Sequence, residues 1–89
     1  MISYIMISTK DIKRNDIKKK ISKINGVIEI DPLIVEESSI ADPFFEEFNL
    51  IAKIQTNTME DITRLVNEKI LPIEGVIKTK ITRKYGISC

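Results

Sequence analysis

The chain has 89 residues, a formal net charge of +1, 43% apolar and 30% charged residues, no His, no Trp and a single Cys, Cys89. Those numbers describe one folded domain, residues 1–89, rather than a disordered segment. They exclude an internal disulfide, a Ser-His or Cys-His nucleophile and a Cys/His zinc site, and the glycines Gly26, Gly75 and Gly86 cannot build a phosphate-binding loop.

Residues 2–8 are rich in β-formers (Tyr4, Ile5, Met6, Ile7) and predict a first strand. Residues 1–9 form the longest charge-free run, short of the roughly 20 apolar residues of a spanning helix. Basic residues follow this run instead of preceding it, unlike a signal peptide. A cytoplasmic chain without membrane association is expected. Ile17, Ile21 and Ile24 recur at i, i+4 and i+7, one face of a helix, with Asn15 as the expected N-cap and Asn25-Gly26 as the stop. Residues 27–35 read as a strand in which Pro32 demands an edge or a bulge.

Residues 36–47 lack periodicity and form an extended connection. Long connections often carry function. Three readings stay open for this one. As a lid, Phe44 or Phe45 would exclude water while Ser38, Ser39 or Asn49 bond a ligand. As a hook, an aromatic would fill a neighbour's pocket. As an extended hairpin, the phenylalanines would complete the core. The carboxylates here lack the spacing and the glycine of a calcium loop, so no metal is expected.

Leu50, Ala52 and Ile54 alternate on one face of a strand over residues 50–56. Thr58-x-x-Asp61 resembles a capping box and opens a second helix with an apolar stripe of Ile62, Leu65, Val66 and Ile70. Pro72 ends it, and Gly75 turns the chain into a last strand over residues 76–83.

The two halves repeat at an offset of 49. Lys20-Ile21-Ser22-Lys23-Ile24-Asn25-Gly26-Val27-Ile28 lies over Lys69-Ile70-Leu71-Pro72-Ile73-Glu74-Gly75-Val76-Ile77, with six of nine positions identical, and Ile2, Ile5 and Thr9 fall on Ile51, Ile54 and Thr58. Two strand-helix-strand units predict an α+β, ferredoxin-like β-α-β-β-α-β sandwich, an antiparallel sheet with both helices on one face. The other face is bare and carries Tyr4, Met6 and Ile51. Such a face points to a sheet-to-sheet homodimer.

Charge is divided along the chain: +5 over residues 1–25, −7 over 26–50 and +3 over 51–89. The lysine cluster of the first helix reads as a solvated face, because the acidic segment opposes its field and no aromatic is interleaved to stack bases. Direct nucleic-acid binding is not expected. No acid-base pair marks an enzyme, and neither catalytic residues nor a cofactor are expected.

Phe48-Asn49-Leu50-Ile51-Ala52-Lys53-Ile54, Leu65-Val66-Asn67-Glu68-Lys69-Ile70 and Ile73-Glu74-Gly75-Val76 together resemble the ligand-binding (RAM) domain of Lrp/AsnC transcription regulators, over about residues 2–83. The resemblance implies dimerisation through the sheet, rings of dimers, and amino-acid effectors bound between dimers. It is to the stand-alone members, which lack the helix-turn-helix domain and act as sensors or partner a full-length regulator. The family's Gly-x-x-Asp before the third strand is Glu46-x-x-Asn49 here, and Thr79 matches a polar position of the last strand. The implied function is amino-acid or related metabolite binding and oligomerisation, with Asn49, Thr79, Ser38, Ser39 and Phe44 as ligand-binding candidates and Tyr4, Met6 and Ile51 at the dimer interface. The alternative is a ligand-free assembly module that partners a regulator or another protein.

Overall fold

The computed structural model describes residues 1–33 and 48–82. Six elements follow in the expected order: β1 (Ile2–Thr9), α1 (Arg14–Ser22), β2 (Val27–Pro32), β3 (Leu50–Gln55), α2 (Met59–Leu65) and β4 (Val76–Thr82). The strands form one antiparallel sheet in the order β2-β3-β1-β4. The first strand of each repeat unit is therefore central, and the last strand of each lies at an edge. Pro32 sits on the edge strand β2, where its missing N–H costs no ladder bond.

Period-two alternation sends Ile5 and Ile7 of β1, Ile30 of β2 and Leu50, Ala52 and Ile54 of β3 to one face. There they meet Ile17 and Ile21 of α1 and Ile62, Val66 and Ile70 of the second helical segment. Burying each aliphatic side chain contributes roughly 1.5–3 kcal/mol, so this contact is the main stabilising layer. Tyr4, Met6 and Ile51, each half-buried, point to the opposite face, which no described element covers, and Met6 pairs directly with Ile51.

The two helices begin differently. Thr58 caps α2 as its spacing predicts: its Oγ1 accepts from the Asp61 N–H at 3.2 Å. Asn15 does not cap α1. A 3-10 turn, Asp11–Lys13, leads into the helix, Lys13 holds the cap position, and Asn15 lies in the first turn. The cause is a tether: the Lys10 N–H donates to the Gly75 carbonyl at 2.9 Å, and the turn starts at once, with Lys13 N–H bonded to the Lys10 carbonyl. The end of α2 also departs from a plain helix. Val66–Ile70 forms a π-helical turn in which the Leu71 N–H donates to the Val66 carbonyl at 2.9 Å, and both Val66 and Ile70 stay buried.

The repeat survives in three dimensions at its Gly-Val-Ile triplets. Gly26 and Gly75 both hold positive φ, +104° and +97°. The following valines are half-buried against the core. Ile28 and Ile77 are each the extra residue of a β-bulge, between Val27 and Glu29 and opposite Ser8/Thr9 respectively, and both are exposed. Each glycine also lies against the other unit's helix: Gly26 against Leu65 and Gly75 against Ile17 and Lys13.

Candidate functional site

The bulge at Ile77 opens a depression of about 430 Å³ at the end of β1, lined by Ser8, Thr9, Lys10, Asp11, Phe48, Asn49 and Ile77. Its centre is Asn49. The Asn49 N–H donates to the Ile7 carbonyl, which seats the residue beside the last turn of the β1–β3 ladder. Its side chain then continues that ladder. Asn49 Oδ1 accepts from the Thr9 N–H and from Thr9 Oγ1, both at 3.1 Å, and Nδ2 donates to the Thr9 carbonyl at 3.1 Å. The second Nδ2 proton goes to Asp11 Oδ1 at 3.3 Å. An amide offers two acceptor and two donor positions, and all four are engaged.

This arrangement needs an amide. A carboxylate could accept from Thr9, but it could donate neither to the Thr9 carbonyl nor to the Asp11 carboxylate. The amide lets Asp11 stay beside β3 with its remaining oxygen free for another donor.

Phe48 is buried yet stands outside the main core, with the Lys78 ammonium 5.4 Å from its ring centroid. Phe48 and Ile77 thus give the depression an apolar side, while Lys10 and Asp11, both exposed, bring opposite charges to its rim.

Of the ligand-binding candidates, Asn49 lines this depression. Thr79 does not: it is paired with Ile7 on the helix-facing side of β4. Ser38, Ser39 and Phe44 lie outside the described residues. Lys10, Asp11, Thr9 and Ile77 carry no motif in the sequence that marks them as site residues. The signal available is the repeat, which places Thr9 on the capping Thr58. Thr9 does not cap; it holds Asn49 instead. Among the described residues no group of three or more acidic or thiol side chains is gathered to hold a metal, and no helix is long and apolar enough to cross a membrane.

No protein-family model matches the sequence, and no curated protein matches it. The fold does have solved relatives. The protein TTHA0845 from Thermus thermophilus superposes with a TM-score of 0.74 at 18% identity, over 94% of this chain and 95% of that one. AsnC of E. coli gives 0.72 at 15% identity, over 97% of this chain and 52% of AsnC. The Neisseria meningitidis transcriptional regulator NMB0573, solved with L-Met, gives 0.66 at 16% identity, over 94% of this chain and 50% of the regulator. The chain thus has the ferredoxin-like fold found in AsnC-type regulators, as its sequence pattern implies. It matches small proteins such as TTHA0845 along almost their full length and spans about half the length of the two regulators.

Proposed function

We propose that the chain is an oligomerising domain of the Lrp/AsnC regulator type that binds an amino acid or a closely related metabolite at the Asn49 depression. One observation carries this reading: within one depression, a carboxylate (Asp11), an ammonium (Lys10) and an apolar wall (Phe48, Ile77) stand together. A free amino acid presents the complementary set, an ammonium, a carboxylate and a side chain. The fully bonded Asn49 is the rigid frame that fixes Asp11, so the ligand's ammonium meets Asp11 rather than Asn49. Among the described residues the depression is open. A neighbouring subunit closes it in this reading, and Tyr4, Met6 and Ile51 are the face through which two copies first pair. The L-Met bound to NMB0573 agrees in ligand class. The domain would serve in the cytoplasm as a stand-alone sensor or as a subunit beside a full-length regulator, without gripping DNA itself.

A second reading, a ligand-free assembly module, is favoured by the same saturated amide, which leaves Asn49 no hydrogen-bonding capacity for a ligand. Native mass spectrometry of the full chain, alone and with each of the standard amino acids, separates the two. An even-numbered oligomer that gains one ligand mass per subunit, and loses that gain in Asp11→Asn, supports the sensor. An oligomer that takes up none of the panel supports the assembly module.

A further inference from the structure

Strand β1 carries three buried hydroxyl residues, Ser3, Ser8 and Thr9, and their surroundings differ. Thr9 Oγ1 donates to Asn49 Oδ1 at 3.1 Å. Ser3 lies on the helix-facing side with Ile5 and Ile7, where its Oγ is sealed from solvent and unpartnered. Ser8 is only 2% exposed, and no hydrogen bond engages its hydroxyl among the described residues. It is not sealed in, because it lines the depression beside Asn49. The bulge that inserts Ile77 falls opposite the Ser8–Thr9 step and interrupts the ladder there.

The polar groups of the depression are thus graded by depth and by commitment. Lys10 and Asp11 stand exposed at the rim. Asn49 has every donor and acceptor position engaged, and Thr9 has given it its hydroxyl proton. Ser8 keeps both its donor and its acceptor capacity. A hydroxyl cut off from water without a partner costs free energy. An occupant that fills the depression therefore either pairs with this hydroxyl or strands it. A methyl group strands it. A charged tip would gain one neutral partner, too little to replace its hydration. Lys78, across from Ser8 on β4, already stands over the Phe48 ring. A neutral amide, carbonyl or hydroxyl tip pairs with Ser8 at the smallest cost.

We propose that Ser8 is a ligand-contacting residue that sets the specificity of this depression, selecting an amino acid whose side chain ends in a neutral hydrogen-bonding group over its apolar isostere. The proposal rests on the reading above that an amino acid occupies the depression. The ligand's α-ammonium then stays at Asp11 and its α-carboxylate at Lys10, and its side chain passes Phe48 and Ile77 to end on Ser8 Oγ. A site built to pair a polar tip rejects the analogue that lacks it, because the site's own group is left unpaired.

The test is isothermal titration calorimetry of the full chain with threonine and valine, asparagine and leucine, and glutamine and methionine, pairs of similar shape that differ at the tip. The tightest of the six should be polar-tipped and bind about ten-fold or more tightly than its apolar counterpart, the worth of about one hydrogen bond. In Ser8→Ala that gap should close to about two-fold, while alanine, too short to reach Ser8, should bind both chains equally. An apolar member that binds wild type as tightly as its counterpart overturns the proposal, as does a gap that survives in Ser8→Ala. Tighter binding of glutamate or aspartate than of any of the six assigns the selection to a cation and overturns it too. In each of these cases the amino-acid reading stands. A chain that binds no amino acid overturns that reading, and the role of Ser8 with it. The wild-type comparison needs no variant, so it decides even where Ser8→Ala fails to fold.

Discussion

Gly26-Val27-Ile28 and Gly75-Val76-Ile77 are the same tripeptide in the same backbone geometry, and each opens a depression at one end of the sheet. Around Ile28 the lining is Met1, Gly26, Val27, Gln55, Thr56 and Asn57, in about 360 Å³. Around Ile77 it is Ser8, Thr9, Lys10, Asp11, Phe48 and Asn49, in about 430 Å³. The first is closed off where the Met1 α-ammonium donates to the Thr56 carbonyl at 2.7 Å and the Thr56 N–H donates to the Met1 carbonyl at 3.0 Å, and it gathers that single positive charge with neutral amide and hydroxyl groups. The second is closed off by a side chain, Asn49, and gathers opposite charges. The repeat therefore supplies two equivalent corners, and among the described lining residues a carboxylate and an ammonium come together at the second alone.

The largest expected difference between the corners comes from their glycines. A Cβ at Gly75 would stand 2.9 Å from Ile17 Cδ1 and 3.0 Å from Lys13 Cβ, at a φ unfavourable to any L side chain. Gly75→Ala should cost about 2–4 kcal/mol, backbone strain plus overpacking against α1. At Gly26 the nearest atom is the mobile Leu65 Cδ1 at 3.1 Å, so Gly26→Ala should cost about 1–2 kcal/mol, mostly strain. Urea unfolding of both variants measures the gap; equal losses would mean that the two corners are equally tight.

Asn49→Asp should rank between them, at about 1–3 kcal/mol near neutral pH, because it removes two donated hydrogen bonds and sets a carboxylate against Asp11. The sign of its pH dependence is fixed. The folded variant holds a proton between the two carboxyls more readily than the unfolded chain does, so the loss grows as pH rises through the carboxylate range and shrinks on acidification. Thermal melts from about pH 3.5 to 7.5, a window spanning the ordinary carboxylate range, test this against the wild type. A constant loss would place Asp11 outside the clamp. The smallest effects concern the helix starts. Thr58→Ala should cost about 1 kcal/mol, the usual loss of a side-chain cap. Asn15→Ala should stay within about 0.5 kcal/mol, since Asn15 caps nothing. Equal losses at the two positions would erase the asymmetry between the helices.

Much of this is legible in the sequence because it is periodic. The isoleucines of α1, the alternation of β3 and the repeated Gly-Val-Ile are local patterns, and each local pattern agrees with the global fold. Thr58-x-x-Asp61 is readable for the same reason. Asn15 misleads because the start of α1 is set by a distant bond, Lys10 to Gly75, that no local spacing reveals. The π-turn at Val66–Ile70 leaves no mark either, since its apolar stripe fits an ordinary helix equally well. At the candidate site, Asn49 stands out by comparison with a familiar motif. Its partners Thr9 and Asp11 lie 40 and 38 residues away, and only the antiparallel register of β1 and β3 brings them together.

Pro32 has a consequence for how copies of this chain accumulate. The Leu33 N–H points inward to the Asn49 carbonyl, so the neighbouring position, held by Pro32, faces outward, where an arriving strand would seek a donor. Pro32 offers none, and the bulge at Ile28 distorts the same outer strand. Lys78 and Lys80 alternate along the opposite margin. Lateral accretion of sheet onto sheet, the route to fibres, is thereby discouraged on both sides.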